Sequence, residues 1–94
     1  MRLTSDEVQT LKSTLKLLSD SAKLYLFGSR VDDSKRGGDI DLLVVSSELT
    51  KQDLRKLKFN FYEKFGEQKI DILLDNGKNK DIFIEIIKKK AILL

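Results

Sequence analysis

The chain contains no cysteine and no histidine. Without cysteine there are no disulfides and no thiolate metal sites. Without histidine the usual neutral-pH base and the usual zinc ligand are both missing. Any catalysis must therefore rest on carboxylates and a hard cation. Long apolar runs are missing too, since none approaches the roughly 20 residues that span a bilayer. The N-terminus has no apolar core of a secretory signal, and a cytoplasmic protein is the expectation. Two phosphate-binding patterns are absent. No Gly-x-x-x-x-Gly-Lys-[Ser/Thr] run occurs, which excludes a P-loop, and no Gly-x-Gly-x-x-Gly follows a strand, which leaves a dinucleotide fold unsupported. There is no internal repeat, linker or low-complexity stretch.

What is present reads as one small domain of 94 residues, 40% hydrophobic and 35% charged. A chain of this size buries a modest fraction of its surface, so a partner or self-association would help it. The net charge of +3 is too small to imply nucleic acid by itself, and no aromatic-rich basic surface is evident. Lys88-Lys89-Lys90 is the only run of three basic residues, and it reads as a solvated helix end favoured by the helix dipole.

The informative segment is Leu26-Phe27-Gly28-Ser29-Arg30, followed by Gly38-Asp39-Ile40-Asp41-Leu42-Leu43-Val44-Val45. Lys23 to Phe27 reads as a buried strand. Gly28, lacking a Cβ, lets the backbone turn sharply and approach a ligand. Ser29 sits where a short helix would begin, and a helix start offers free N–H groups and partial positive charge to phosphate. Arg30 adds a cationic fork suited to phosphate. Asp39 and Asp41 lie two apart on a strand and face the same way, with Cα atoms roughly 6–7 Å apart. Like charges so close repel unless a cation sits between them. Mg²⁺ prefers hard oxygen ligands and shares them with substrate phosphates. Two such ions would clamp the attacking and leaving oxygens of a displacement at phosphorus. Asp71 repeats the pattern in Lys69-Ile70-Asp71-Ile72-Leu73-Leu74. It would complete the metal site or take a proton from an attacking hydroxyl. The three acids are expected at one end of the sheet. Each piece alone is bland: Gly-Ser is a common turn, and Asp-x-Asp or a lone Asp is often a solvated charge. Their combination points to a metal-bound nucleoside triphosphate.

Thr4 and Glu7 form a capping-box pattern before a helix from about Ser5 to Leu18, with Val8, Leu11, Leu15 and Leu18 on one face. Strands are expected at Lys23–Phe27, Ile40–Val45 and Lys69–Leu74. A helix from about Lys51 to Phe65, capped by Thr50 and stopped by Gly66, buries Leu54, Leu57, Phe61 and Phe65. Phe59 and Tyr62 fall off that stripe and are expected to be exposed. Asp75-Asn76-Gly77 is a turn signal. A third helix follows from about Lys80, and Ala91–Leu94 adds an edge strand. Ile82, Phe83, Ile84, Ile86 and Ile87 make that helix apolar nearly all round. Most of them are expected in the core, with a surplus left for an interface. The pattern implies an α/β (α+β) sandwich: a small mixed sheet with helices packed on one face and acids at the rim of the other.

Residues 26–45 and 69–74 resemble the nucleotidyltransferase superfamily, whose fold is that of DNA polymerase beta. The chain is most similar to its shortest members, the minimal nucleotidyltransferases. The specific part is Gly28-Ser29 with Asp39-Ile40-Asp41, and Asp71 matches the third acid. Ile82–Ile87 with Ala91–Leu94 is similar to the closing helix and short strand. The resemblance implies that Gly28 and Ser29, with Arg30 beside them, hold the triphosphate of ATP. It implies that Asp39 and Asp41 bind two Mg²⁺ ions, and that Asp71 completes the site and helps activate the acceptor. Minimal members are commonly encoded beside a helical HEPN protein. In toxin–antitoxin pairs of that type the nucleotidyltransferase is the antitoxin, and it can move AMP from ATP onto a HEPN tyrosine. Many relatives continue Gly-Ser with Arg-Ala-Arg-Gly, whereas this chain reads Arg30-Val31-Asp32-Asp33. That departure and the small size favour an alternative, a module that binds its partner by contact alone. The intact acid trio favours the enzyme.

Overall fold

Two reciprocal caps start the main helices. Thr4 N–H donates to Glu7 Oε1 at 2.9 Å and Glu7 N–H donates to Thr4 Oγ1 at 3.1 Å. Helix α1, Ser5–Leu18, follows. Thr50 and Asp53 repeat the device, with Thr50 N–H donating to Asp53 Oδ2 at 2.9 Å. Helix α2, Lys51–Phe65, then runs to Gly66. These are local contacts between residues three apart, and each satisfies donors that a helix start leaves free. A computed structural model describes residues 3–28, 39–78 and 81–94. Its remaining elements are β1 (Lys23–Phe27), β2 (Ile40–Val45), β3 (Ile70–Asp75), α3 (Ile82–Lys90) and β4 (Ile92–Leu93).

The four strands form one mixed sheet in the order β3-β2-β1-β4. β1 is antiparallel to both β2 and β4, and β2 is parallel to β3. Parallel neighbours cannot be joined by a tight turn. The β2–β3 connection is accordingly made by α2, which Ser46 helps launch by accepting from Glu48 N–H at 3.1 Å and Leu49 N–H at 3.3 Å.

Alternation along the strands sorts the sheet into two faces. Leu24, Leu26, Ile40, Leu42, Val44 and Ile70 join Leu11 and Leu15 of α1 and Leu54, Leu57 and Phe61 of α2 in one core. The helices α1 and α2 therefore pack on one face, as the sequence patterning implies. The other face carries Tyr25, Phe27, Asp41, Leu43, Val45, Asp71, Leu73 and Asp75. Its far end meets α3, where Lys88 pairs with buried Asp75. Among the described residues, no helix is long and apolar enough to cross a membrane.

Four expectations need adjustment. β3 begins at Ile70 rather than Lys69, since its pairing with β2 opens at Ile40–Ile70, and it continues to Asp75, which pairs with Val45 and whose carbonyl accepts from Ser46 N–H at 3.0 Å. Tyr62 is half-buried against the core rather than exposed, its ring edge-on to Phe59 with centroids 6.5 Å apart. Phe59 is exposed as expected. Helix α3 begins at Ile82 behind its cap Asp81, whose Oδ1 accepts from Phe83 N–H at 2.9 Å; Lys80 lies outside the described residues. Its apolar residues are mostly not core. Ile82, Phe83 and Ile86 are 77%, 60% and 56% exposed, and only Ile87 is buried. The reason is geometric: α1 and α2 already fill one face, and a nine-residue helix lying at the end of the other can bury only one stripe.

Candidate active site

The acids are gathered by register. In the parallel β2–β3 pair, Asp41 is the direct partner of Asp71. Aligned residues on neighbouring strands project from the same face, so these two carboxylates stand side by side at the strand starts. On the other flank Asp41 is opposite Phe27 of β1. Asp39 precedes β2 by one residue and is at the same rim. The expected convergence of Asp39, Asp41 and Asp71 at one sheet end is what the topology produces. Asp71 is exposed, while Asp39 and Asp41 are partly covered.

Gly28 closes the other side of Asp41. A Cβ on Gly28 would overlap the Asp41 Oδ2 atom and lie 3.1 Å from Asp41 Cγ. Its φ of +77° also favours glycine. The glycine is therefore required by a carboxylate of its own chain, a reason the sequence did not disclose. Ser29 and Arg30, the other candidate triphosphate ligands, lie outside the described residues, as do Asp32, Asp33, Lys35 and Arg36.

Among the described residues, acids outnumber cations at this rim. Burial raises the Asp41 carboxyl above the ordinary carboxylate range, and the neighbouring Asp71 and Asp39 charges push it further. Lys69 opposes this weakly, pairing with Asp39 at 3.5 Å from an exposed position. Lys69 was not a candidate in the sequence. Its signal is only a basic residue directly before an acid-bearing strand. Among the described residues no three acidic side chains form a ready cage for a metal ion. The side-by-side Asp41–Asp71 pair with Asp39 is instead an open set of hard oxygens. Such a set suits a divalent cation that takes its other ligands from phosphate and water.

At the opposite end of this face, Asp75 is held by Lys88. That pairing keeps the Asp75 carboxyl below the ordinary range and the Lys88 amine above its own. Lys88 is thus more than a solvated helix end. The turn after β3 also forms as read, with Gly77 N–H donating to Asp75 Oδ1 at 3.1 Å.

The family model described as Polymerase beta, Nucleotidyltransferase matches residues 9–94. The chain belongs to that family. The matched stretch runs from within α1 to the last residue and includes the whole sheet and the whole acid rim. The domain is thus a nucleotidyltransferase domain, and nucleotidyl transfer is its activity class. Nucleotidyltransferase domains of this family typically use a nucleoside triphosphate and a divalent metal. No curated protein matches the chain at a significant level.

Proposed function

We propose that this nucleotidyltransferase domain moves AMP from ATP onto a tyrosine of a HEPN-type partner protein and so acts as its antitoxin. The in-register Asp41–Asp71 pair, with Asp39 at the same rim, carries the reading. Asp39, Asp41 and Asp71 would hold Mg²⁺, two ions in full occupancy. The bound metal supplies charge neutralisation at the phosphates. Gly28, Ser29 and Arg30 would receive the triphosphate. The acceptor oxygen attacks the α-phosphorus, a new P–O bond forms, and pyrophosphate leaves with the bond it held. Asp71, the most exposed of the three acids, takes the acceptor proton. An exposed position suits that task, because the acceptor arrives from outside this small domain. Transfer needs the acceptor held in line with the leaving group, and a second chain would do that positioning.

A second reading keeps the fold and dispenses with the chemistry: the chain neutralises its partner by contact. The exposed Ile82, Phe83 and Ile86 favour it, since they offer apolar surface that the domain itself leaves open. Mass spectrometry of the protein encoded beside this chain, co-expressed and supplied with ATP and Mg²⁺, separates the two. A mass increase of one AMP, lost with Asp39→Asn/Asp41→Asn, supports transfer. An unmodified but silenced partner supports contact alone.

A further inference from the structure

The sheet treats its two edges differently. One edge, β4, has two residues, and a very short edge offers little for another strand to pair with. The other edge, β3, has six and reads Ile70-Asp71-Ile72-Leu73-Leu74-Asp75. Ile72, Leu73 and Leu74 are only half-buried there. Such a sequence suits a strand covered on both sides, yet it stands at the border.

A groove of about 500 Å³ runs along this edge. One wall is α2, which presents Lys51, Arg55 and Lys58. Their spacing of four and then three residues places them in one row. Lys51 and Arg55 are exposed. Lys58 is half-covered by lying 5.8 Å over the Tyr62 ring. The other wall is α3, which presents Phe83 and Ile84, with Phe83 60% exposed. The lining acids, Asp71 and Asp81, are both on the α3 side, and Asp81 is engaged as the α3 cap. Cations therefore line one wall, and apolar surface with acids lines the other.

From this the geometry points to a docking site for an extended segment of a partner protein, in which acidic and apolar side chains alternate. The segment would pair its backbone with β3 as a fifth strand. Side chains of a strand alternate between the faces of its sheet. Every second residue of the added strand would therefore meet the Lys51–Arg55–Lys58 row, and the residues between would meet Phe83 and Ile84. Main-chain bonds would give affinity and the two unlike walls would give specificity. A mismatched register would place acids against Phe83, Asp71 and Asp81, which sets the register by repulsion. The cation row lies on the sheet face opposite to Asp41, whereas Asp71 belongs both to this groove and to the acid rim, so a docked segment would border the transfer site.

The probe is a short, end-capped, fluorescein-labelled peptide alternating glutamate and valine, titrated with the full chain and followed by anisotropy. Binding is expected, with amide shifts in nitrogen–proton spectra concentrated at residues 70–75. Lys51→Glu/Arg55→Glu/Lys58→Glu should weaken it at least tenfold. Its fold is checked by circular dichroism; the three side chains lie on the exposed or half-covered face of α2 and glutamate is a good helix former, so the variant is expected to fold. Methylating the peptide amides that face β3 should weaken binding similarly with the untouched chain. A lysine–valine peptide should not compete. The proposal is overturned by absence of binding at about millimolar peptide, by indifference to charge reversal or to N-methylation, or by amide shifts confined elsewhere. It is also overturned if light scattering of the chain alone shows a dimer that charge reversal dissociates, since a second copy would then be the occupant.

Discussion

Replacing Gly28 with alanine adds one methyl group, and that methyl meets two obstacles. Gly28 holds φ at +77°, where an L-residue costs roughly 1–2 kcal/mol. The new Cβ would also overlap Asp41 Oδ2 and approach Asp41 Cγ and Cβ to 3.1 and 3.3 Å. The carboxylate must swing out of its well, at a cost of about 0.5–1.5 kcal/mol for an off-rotamer side chain. The two effects together come to about 2–3 kcal/mol, or on the order of 10–20 °C in melting temperature for a domain of this size. Denaturant unfolding followed by circular dichroism measures the cost. Calorimetric titration with Mg²⁺ and ATP measures the second consequence, a loss of affinity, because the displaced carboxylate is the one beside Asp71. A double-mutant cycle separates the causes. In an Asp41→Ala background the carboxylate is gone but the backbone strain stays, so Gly28→Ala should then cost only about 1–2 kcal/mol. The difference, a coupling of about 1 kcal/mol, is measurable between contacting residues. An alanine variant with unchanged stability and unchanged affinity would refute the assignment of Gly28. Equal costs in both backgrounds would refute the contact with Asp41.

Asp39→Asn with Asp41→Asn should abolish Mg²⁺-dependent ATP binding and leave the fold intact, since both charges face the rim; unchanged affinity would contradict the site. The same variant should change the pH profile of stability. Asp41 is raised in the folded protein, so it holds its proton more tightly folded than unfolded. Its stabilising contribution is full below the ordinary carboxylate range and is lost as pH rises through its raised value. The wild type should lose stability across that interval in metal-free buffer and the asparagine variant should not, as urea midpoints at stepped pH will show. Lys88→Ala tests the opposite sign. Asp75 is lowered, so its contribution is present above the ordinary carboxylate range and lost on acidification through its lowered value. Truncating Lys88 leaves a nearly buried carboxylate unpaired. With Lys88 itself partly exposed, the cost should be about 1–2 kcal/mol near neutrality. It should shrink in acid; a cost that persists at low pH would show that packing of the lysine stem, and not its charge, matters.

Much of this molecule could be read from short stretches of chain. The Thr4–Glu7 capping box, the Thr50 cap, the limits of α1 and α2, β1 and β2 and the turn at Asp75-Asn76-Gly77 depend on residues within a few positions of one another. The chemistry of caps, glycine and alternating side chains acts at that range. The absence of histidine and cysteine likewise directed the expectation to carboxylates. Tertiary structure decided the rest. That Asp41 and Asp71 are direct neighbours follows from parallel pairing across an entire helix, and a register slip of one residue would have turned Asp71 to the opposite face. The packing of Asp41 against Gly28, the Lys69–Asp39 pair and the capture of Lys88 by Asp75 are long-range contacts between residues with no local signal. The helix α3 makes the point most sharply. Ile82, Phe83 and Ile86 have the composition of a core, but composition records only which residues prefer to leave water. Whether they do depends on which surfaces remain uncovered once α1 and α2 have taken one face of a four-stranded sheet.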